Sequence, residues 1–202
     1  MELERAGDYA GALELLLNGD HELPRSWVLK RSLVLYARLG QTGPAWACLA
    51  QLAQRKRPLF HWPSYIASAD ALTARGQHAD AERVLRHTLG LRGNVPHRAV
   101  WSGILLKKLA QCLMAQRRVE EAAEAFASAI PMLAFGSGEV HALWIEAHTT
   151  AAWCEQALGR EEEAARLIAV ARQGLQQLDR AQKFVSPKLR EYLDAWPKGA
   201  AT

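Results

Sequence analysis

Cysteine is scarce: the 202 residues hold 3, an odd number with no CxxC pair. That excludes a disulfide-stapled scaffold and leaves Cys48, Cys112 and Cys154 as buried free thiols. Glycine (14) and proline (8) are too few for the frequent turns of a β-sandwich. No run reaches the roughly 18 apolar residues of a membrane span. The opening MELERAGDYAGALELLL lacks the basic segment and apolar core of a secretory leader. No membrane association is expected, and the cytoplasm is the expected compartment. An excess of one charge sign is missing too, with 25 basic against 21 acidic side chains and a net charge of +4. The basic runs Arg55-Lys56-Arg57, Lys107-Lys108 and Arg117-Arg118 are short and read as solvated charge, so a nucleic-acid partner is not expected. GxSxG, GxxxxGK followed by Ser or Thr, GxGxxG and HExxH are all absent, so neither an enzymatic activity nor a cofactor is expected. His21-Glu22 continues into Leu-Pro-Arg and cannot set two ligands on a helix. Gly136-Ser-Gly138 reads as a hairpin loop.

Ala and Leu, by contrast, make up 65 of the 202 residues, a composition that favours helices. A pattern recurs along the chain: a helix-terminating residue followed five positions later by Ala. It reads Gly7 to Ala12, Gly40 to Ala45, Gly76 to Ala81, Arg117 to Ala122 and Gly159 to Ala164. A large apolar residue lies four positions beyond each Ala: Leu16, Leu49, Leu85, Phe126 and Ile168. Glycine just past a helix end takes the left-handed conformation that satisfies the last carbonyls. The chain then returns antiparallel, Ala lets the two backbones approach, and the bulky residue one turn later fills the space between hairpins. One hairpin cannot cover its apolar face alone, so neighbours must stack.

The segment Tyr65 to Leu85, with Ala69, Gly76, Ala81 and Leu85 at the packing and turn positions, resembles the tetratricopeptide-repeat (TPR) motif. So do Leu109 to Ala129 and Ala152 to Ala171. The resemblance spans about residues 2–182 and extends to TPR-like arrays of the kind found in bacterial regulators. It departs at Leu33, where a small residue is usual, at Arg117, which replaces the turn glycine, and in the longer last two units. The resemblance implies an all-α superhelix, a TPR-like solenoid of about four and a half hairpin repeats with a C-terminal capping helix. It also implies a non-enzymatic scaffold that binds a partner protein or peptide in its concave groove. The alternative is a ligand- or peptide-sensing module of a bacterial transcriptional regulator, which a closed apolar pocket would favour and an open groove would not.

Periodicity places helices at 8–18, 25–39, 43–55, 63–75, 78–90, 96–116, 119–134, 138–158, 161–181 and 187–196. Residues 1–196 are expected to form one repeat domain and 197–202 a frayed tail. Leu189, Tyr192, Leu193 and Trp196 are expected to share the buried face of the capping helix. At the front the first unit shows only its second helix, whose partner would precede Met1. Leu13, Leu16 and Leu17 would then form an apolar edge. That edge is covered by the N-terminal segment, used for self-association, or continued by a longer array.

Because first helices line the groove in the TPR family, the resemblance selects Trp27, Lys30, Val34 and Arg38, then Ile66, Asp70 and Thr73. Further along it selects Ile104, Lys107, Gln111 and Met114, then Glu146, Thr149, Trp153 and Gln156. The partner-binding candidates are Trp27, Lys30, Arg38, Asp70, Lys107, Gln111, Glu146, Thr149 and Trp153, with Lys30, Lys107 and Trp153 as anchors. The carboxylate clamp of chaperone-binding TPR domains is not reproduced: Val34 and Ala67 stand where Asn is expected, and Ile104 where Lys is. His141, His148 and Glu155 lie seven residues apart, about 10.5 Å of helical rise, too far for one ion, so no metal is expected. The 7 tryptophans read mainly as packing residues.

Overall fold

Backbone turns set the architecture. All five turn positions of the repeat adopt positive φ, from +61° at Arg117 to +81° at Gly7. At Gly40 (φ +74°) the turn closes with Gly40 N–H donating to the Ala37 carbonyl and Gln41 N–H to that of Tyr36. The Arg117 turn closes with the same pair of bonds, Arg117 N–H donating to the Met114 carbonyl and Arg118 N–H to that of Leu113. The turn therefore forms without glycine, against a left-handed penalty of about 1 kcal/mol for an ordinary residue. Gln182 (φ +53°) adds a sixth such turn, where Lys183 N–H reaches the Leu178 carbonyl.

The computed structural model describes residues 2–19, 23–56, 58–91, 98–134 and 141–196, which are helices and short connections without a strand. In order these are α1 (Glu2–Arg5), α2 (Tyr9–Asn18), α3 (Arg25–Leu39), α4 (Thr42–Ala53), a 3-10 turn (Pro58–His61), α5 (Trp62–Ala74) and α6 (His78–Gly90). They continue with α7 (Arg98–Ala115), α8 (Val119–Ala134), α9 (Ala142–Ala157), α10 (Glu161–Arg180) and α11 (Pro187–Asp194). The expected helices are all present, with ends differing by a few residues. Gly93, Asn94, Pro96, Gly136, Gly138, His21, Glu22, Arg57 and the expected tail 197–202 lie outside the described residues. No helix among the described residues is long and apolar enough to cross a membrane.

The chain divides into two compact units, Met1–Pro96 and His97–Thr202. In the first, α2, α3 and α5 pack in succession, with α4 and α6 returning against α3 and α5. Its core holds Leu33, Leu35, Leu49, Leu52, Tyr65, Leu72 and Leu85. Leu33, the departure from a small helix-A residue, is fully buried in it. Trp46 of α4 receives the Arg83 guanidinium of α6 over its ring at 3.8 Å and the His87 ring edge-on at 5.2 Å. In the second unit, α7/α8 and α9/α10 form two hairpins around Leu105, Leu113, Phe126, Leu133 and Ile145. A Cβ on Gly103 would stand 3.0 Å from Leu133 Cγ and 3.1 Å from the Leu133 nitrogen, a measure of how closely α7 and α8 pass.

Ser186 caps α11 by accepting from Leu189 N–H, and Pro187 fills the first turn. Leu189, Leu193 and Trp196 are buried, as expected of the capping helix. Tyr192 is exposed, because the short helix turns only one narrow face to the hairpin. Arg190 clasps Asp179 of α10 through two hydrogen bonds and holds that carboxyl below its ordinary pKa. Cys48, Cys112 and Cys154 are buried free thiols; burial, and then Glu155, push the Cys154 thiol up to about 11.

The repeat alanines Ala45, Ala81, Ala122 and Ala164 are buried, as are Leu49, Leu85, Phe126 and Ile168 one turn on. Ala12 and Leu16 are only half-buried. Ala122→Leu should therefore force α7 and α8 apart and cost about 1–3 kcal/mol, while Ala12→Leu at the open edge should stay within about 0.5 kcal/mol, as read by urea denaturation.

Candidate functional site

The first unit carries a surface cleft of about 340 Å3 between α3 and α5. Trp27, Lys30, Arg31, Val34 and Arg38 follow helical spacing down one face of α3 and form one wall; Pro63, Ser64 and Ala67 of α5 form the other. Leu29, Leu33 and Leu35 turn the opposite side of α3 into the core, which fixes the outward register. Trp27 is 42% exposed, a large aromatic surface at the mouth. Asp70 is exposed one helical turn beyond Ala67.

The cations of this cleft are held in three different ways. Arg31 is neutralised: its Nε donates to Glu4 Oε1 at 2.6 Å and its Nη2 to Oε2 at 2.5 Å. Arg38 donates to the Tyr9 hydroxyl at 2.8 Å and lies 4.8 Å from the centre of that ring, so its partner carries no charge. Lys30 forms no ion pair or hydrogen bond with the described residues. Burial, and then the positive charges of Lys30 and Arg55, hold the neighbouring His61 below its ordinary pKa. The surface is thus positive at both Lys30 and Arg38 and apolar at Trp27 and Val34.

A second groove, of about 570 Å3, lies at the α1/α2 end of the same unit. Ala12, Leu15, Leu16, Leu23 and Trp27 line it, along with Glu4 and Arg31. The expected apolar edge is present with a changed register. Leu13 is buried on the helix that packs against α3, Leu16 lines the groove and Leu17 is exposed as expected, and Leu15 (60% exposed) joins the edge.

In the second unit the candidates behave differently. Lys107 is 4% exposed and Thr149 is 2% exposed, so neither offers the groove surface expected of it. Lys107 Nζ pairs with Glu146 Oε2 at 2.7 Å, and Gln111 Nε2 donates to Glu146 Oε1 at 3.2 Å. These three candidates do come together, but as a clasp between α7 and α9. Thr149 spends its hydroxyl on the Ile145 carbonyl at 2.8 Å. Trp153 is covered by Trp196 of the capping region, ring centres 4.9 Å apart, and its indole nitrogen is shielded from solvent. An alanine at Lys107 would test packing, not recognition, whereas Trp153 is half-buried.

The three-residue polar stripe of α9 is dispersed over separate tasks. His141 Nε2 donates to the Leu133 carbonyl while Nδ1 accepts from Trp144 N–H, capping the helix. His148 lies against Trp144 at 4.0 Å and donates from Nδ1 to its carbonyl. Glu155 pairs with Arg160. No three His, Cys, Asp or Glu side chains converge as metal ligands among the described residues.

Arg31, Glu4 and Tyr9 are not among the residues that the repeat pattern selects. Arg31 was legible in principle, one helical turn after Trp27. Glu4 and Tyr9 reach α3 from 27 and 29 residues away and leave no local signal.

No protein-family model matches the sequence, and no curated protein does either. Solved structures do match in shape. MamA (residues 41 to the end) from Desulfovibrio magneticus RS-1 has a TM-score of 0.58 at 17% identity, covering 88% of this chain and 92% of that one. A second MamA structure has a TM-score of 0.58 at 16% identity, covering 92% and 93%. A Podosopora anserina protein of nearly identical TPR-like repeats, described as a kinesin light chain, has a TM-score of 0.57 at 22% identity, covering 90% and 92%. The fold is TPR-like.

Glu146→Ala removes the carboxylate from a buried ammonium and should destabilise the second unit by about 1–3 kcal/mol. The loss in Lys107→Met/Glu146→Ala should be smaller than the sum of the single losses in a double-mutant cycle. Burial, opposed by the hydrogen bond to Trp144 and reinforced by Arg166, holds His148 below its usual value. The unfolded chain therefore takes up that proton first, and stability falls as pH drops below the unfolded pKa of about 6.5. Thermal midpoints should decline from about pH 7 to about pH 5, and His148→Gln should flatten that decline.

Proposed function

We propose that this chain is a non-enzymatic protein-interaction scaffold, and that the α3/α5 cleft of its first unit takes an acidic segment of a partner protein. The observation that carries this reading is the state of the cations. Lys30 has no counter-charge among the described residues, and Arg38 rests on a neutral tyrosine. Both stand in the cleft that presents Trp27 and Val34. A carboxylate-bearing chain with an apolar residue nearby complements that pattern. The rigid hairpin framework lowers the ordering cost of binding it. In the second unit the corresponding cation, Lys107, is already committed to Glu146 and lies buried, so it adds nothing to recognition.

Both grooves are open along the surface, which favours an extended or helical segment over an enclosed small ligand. This reading places the scaffold in the cytoplasm, where the three buried thiols stay reduced. Peptide arrays probed with the purified chain should retain sequences that combine Asp or Glu with Leu, Phe or Trp. Lys30→Glu/Arg38→Glu should weaken that retention by about tenfold or more, a loss of at least about 1.4 kcal/mol, with helical content unchanged. Equal retention of basic peptides, or indifference to the charge reversal, would sink the assignment.

A further inference from the structure

The two grooves of the first unit are not independent. Both are lined by Trp27, Arg31 and Glu4, so they adjoin along the Glu4–Arg31 ion pair. One side is apolar, with Leu15, Leu16 and Leu23; the other is cationic, with Lys30 and Arg38. We propose that the two grooves form one composite docking site for an amphipathic helix of a partner protein, apolar over α2 and acidic over α3. Glu4 acts as a built-in stand-in for the partner's carboxylate, released from Arg31 when the partner binds. The proposal rests on the acidic-segment reading above and extends it to a helix, an orientation and a latch.

Three observations support the latch. Glu4 offers both carboxylate oxygens to Arg31 in the bidentate manner that an incoming Asp or Glu would use. Its side chain is only 17% exposed, although it belongs to a helix of four residues. So short a helix has almost no stability of its own and depends on its contacts, here the Gly7 turn (Gly7 N–H to the Glu4 carbonyl, Asp8 N–H to that of Leu3) and Arg31. It therefore sits at the low end of local opening cost.

The charge balance gives the direction. A partner carboxylate on Arg31 replaces a bond of the same kind, so that exchange is near neutral. The net gain comes from contacts the chain does not make itself: carboxylates at Lys30 and Arg38, and apolar cover for Leu15 and Leu23, which are 60% and 37% exposed. Trp27 stands where the apolar and charged stretches join, the position of an anchor.

The test uses the 202-residue chain and a fluorescein-labelled helical peptide with Leu at i, i+3, i+4 and i+7 and Glu in its last turns. A control peptide carries Gln for every Glu. Anisotropy titrations should show the Glu peptide binding to the wild-type chain, binding more tightly by about threefold to tenfold to Glu4→Gln, and binding weakly to Lys30→Glu/Arg38→Glu. The Gln peptide should show no gain with Glu4→Gln. Circular dichroism monitors folding; if Glu4→Gln loses helix, Glu4→Asp, which keeps the charge and shortens the reach, should still raise affinity. Unchanged or weaker binding in a folded Glu4 variant overturns the latch. If the charge reversal still removes binding in that case, the acidic-segment reading survives alone. Indifference to the charge reversal overturns that reading as well, and no binding of the Glu peptide to any variant overturns the composite site. Concentration-dependent dimerisation by light scattering, abolished by Leu15→Ser/Leu23→Ser, would assign the groove to a second copy and overturn the partner-helix proposal.

Discussion

The structure depends on one steric constraint. Two helices joined by a short left-handed turn must pass each other where only a small side chain fits. Ala45, Ala81, Ala122 and Ala164 occupy those crossings and are buried, and Gly103 faces Leu133 on the partner helix of its hairpin with no room for a larger side chain. Close passage is what brings Leu49, Leu85, Phe126 and Ile168 into full contact one turn later. The turn is a consequence as much as a cause. Arg117 accepts a conformation that favours glycine because the packed hairpin on either side over-determines it.

The same constraint fixes which side chains are left over. Once α3 has committed Leu29, Leu33 and Leu35 inward, Trp27, Lys30, Arg31, Val34 and Arg38 have nowhere to go but the opposite face. On α7 the equivalent register does not deliver an exposed cation. Leu105, Leu109 and Leu113 are buried, and Lys107 is drawn into the packing between α7 and α9, where an ammonium persists because Glu146 is 2.7 Å away. Two lysines chosen by one rule thus end in different settings, one lining the α3/α5 cleft and one a clasp within its unit.

Polar residues in the second unit follow the same economy. Thr149 returns its hydroxyl to its own helix, His141 closes the start of α9, and His148 lies tilted against Trp144 and donates from Nδ1 to its carbonyl. Each satisfies a local need that burial creates. In the first unit the comparable needs are met across longer stretches of chain, by Glu4 on Arg31 and Tyr9 beneath Arg38. The α3/α5 cleft is therefore partly made, and partly occupied, by the segment that precedes it.

Local chemistry was enough to determine the helices, the turns, the buried alanines, the free thiols and the capping helix opened by Ser186 and Pro187. Those features depend on residues within one or two turns of each other, and the pattern of small, large and left-handed positions is written at that range. Tertiary packing alone decided that Leu13 turns inward while Leu15 faces out, that Trp153 is covered by Trp196, and that Lys107 is a buried partner of Glu146. It also decided that Glu4 sits on Arg31. Each of these is a choice between two sides of a helix or between distant partners. Its energy comes from desolvation and pairing between helices that are separate in sequence, and no local spacing encodes that.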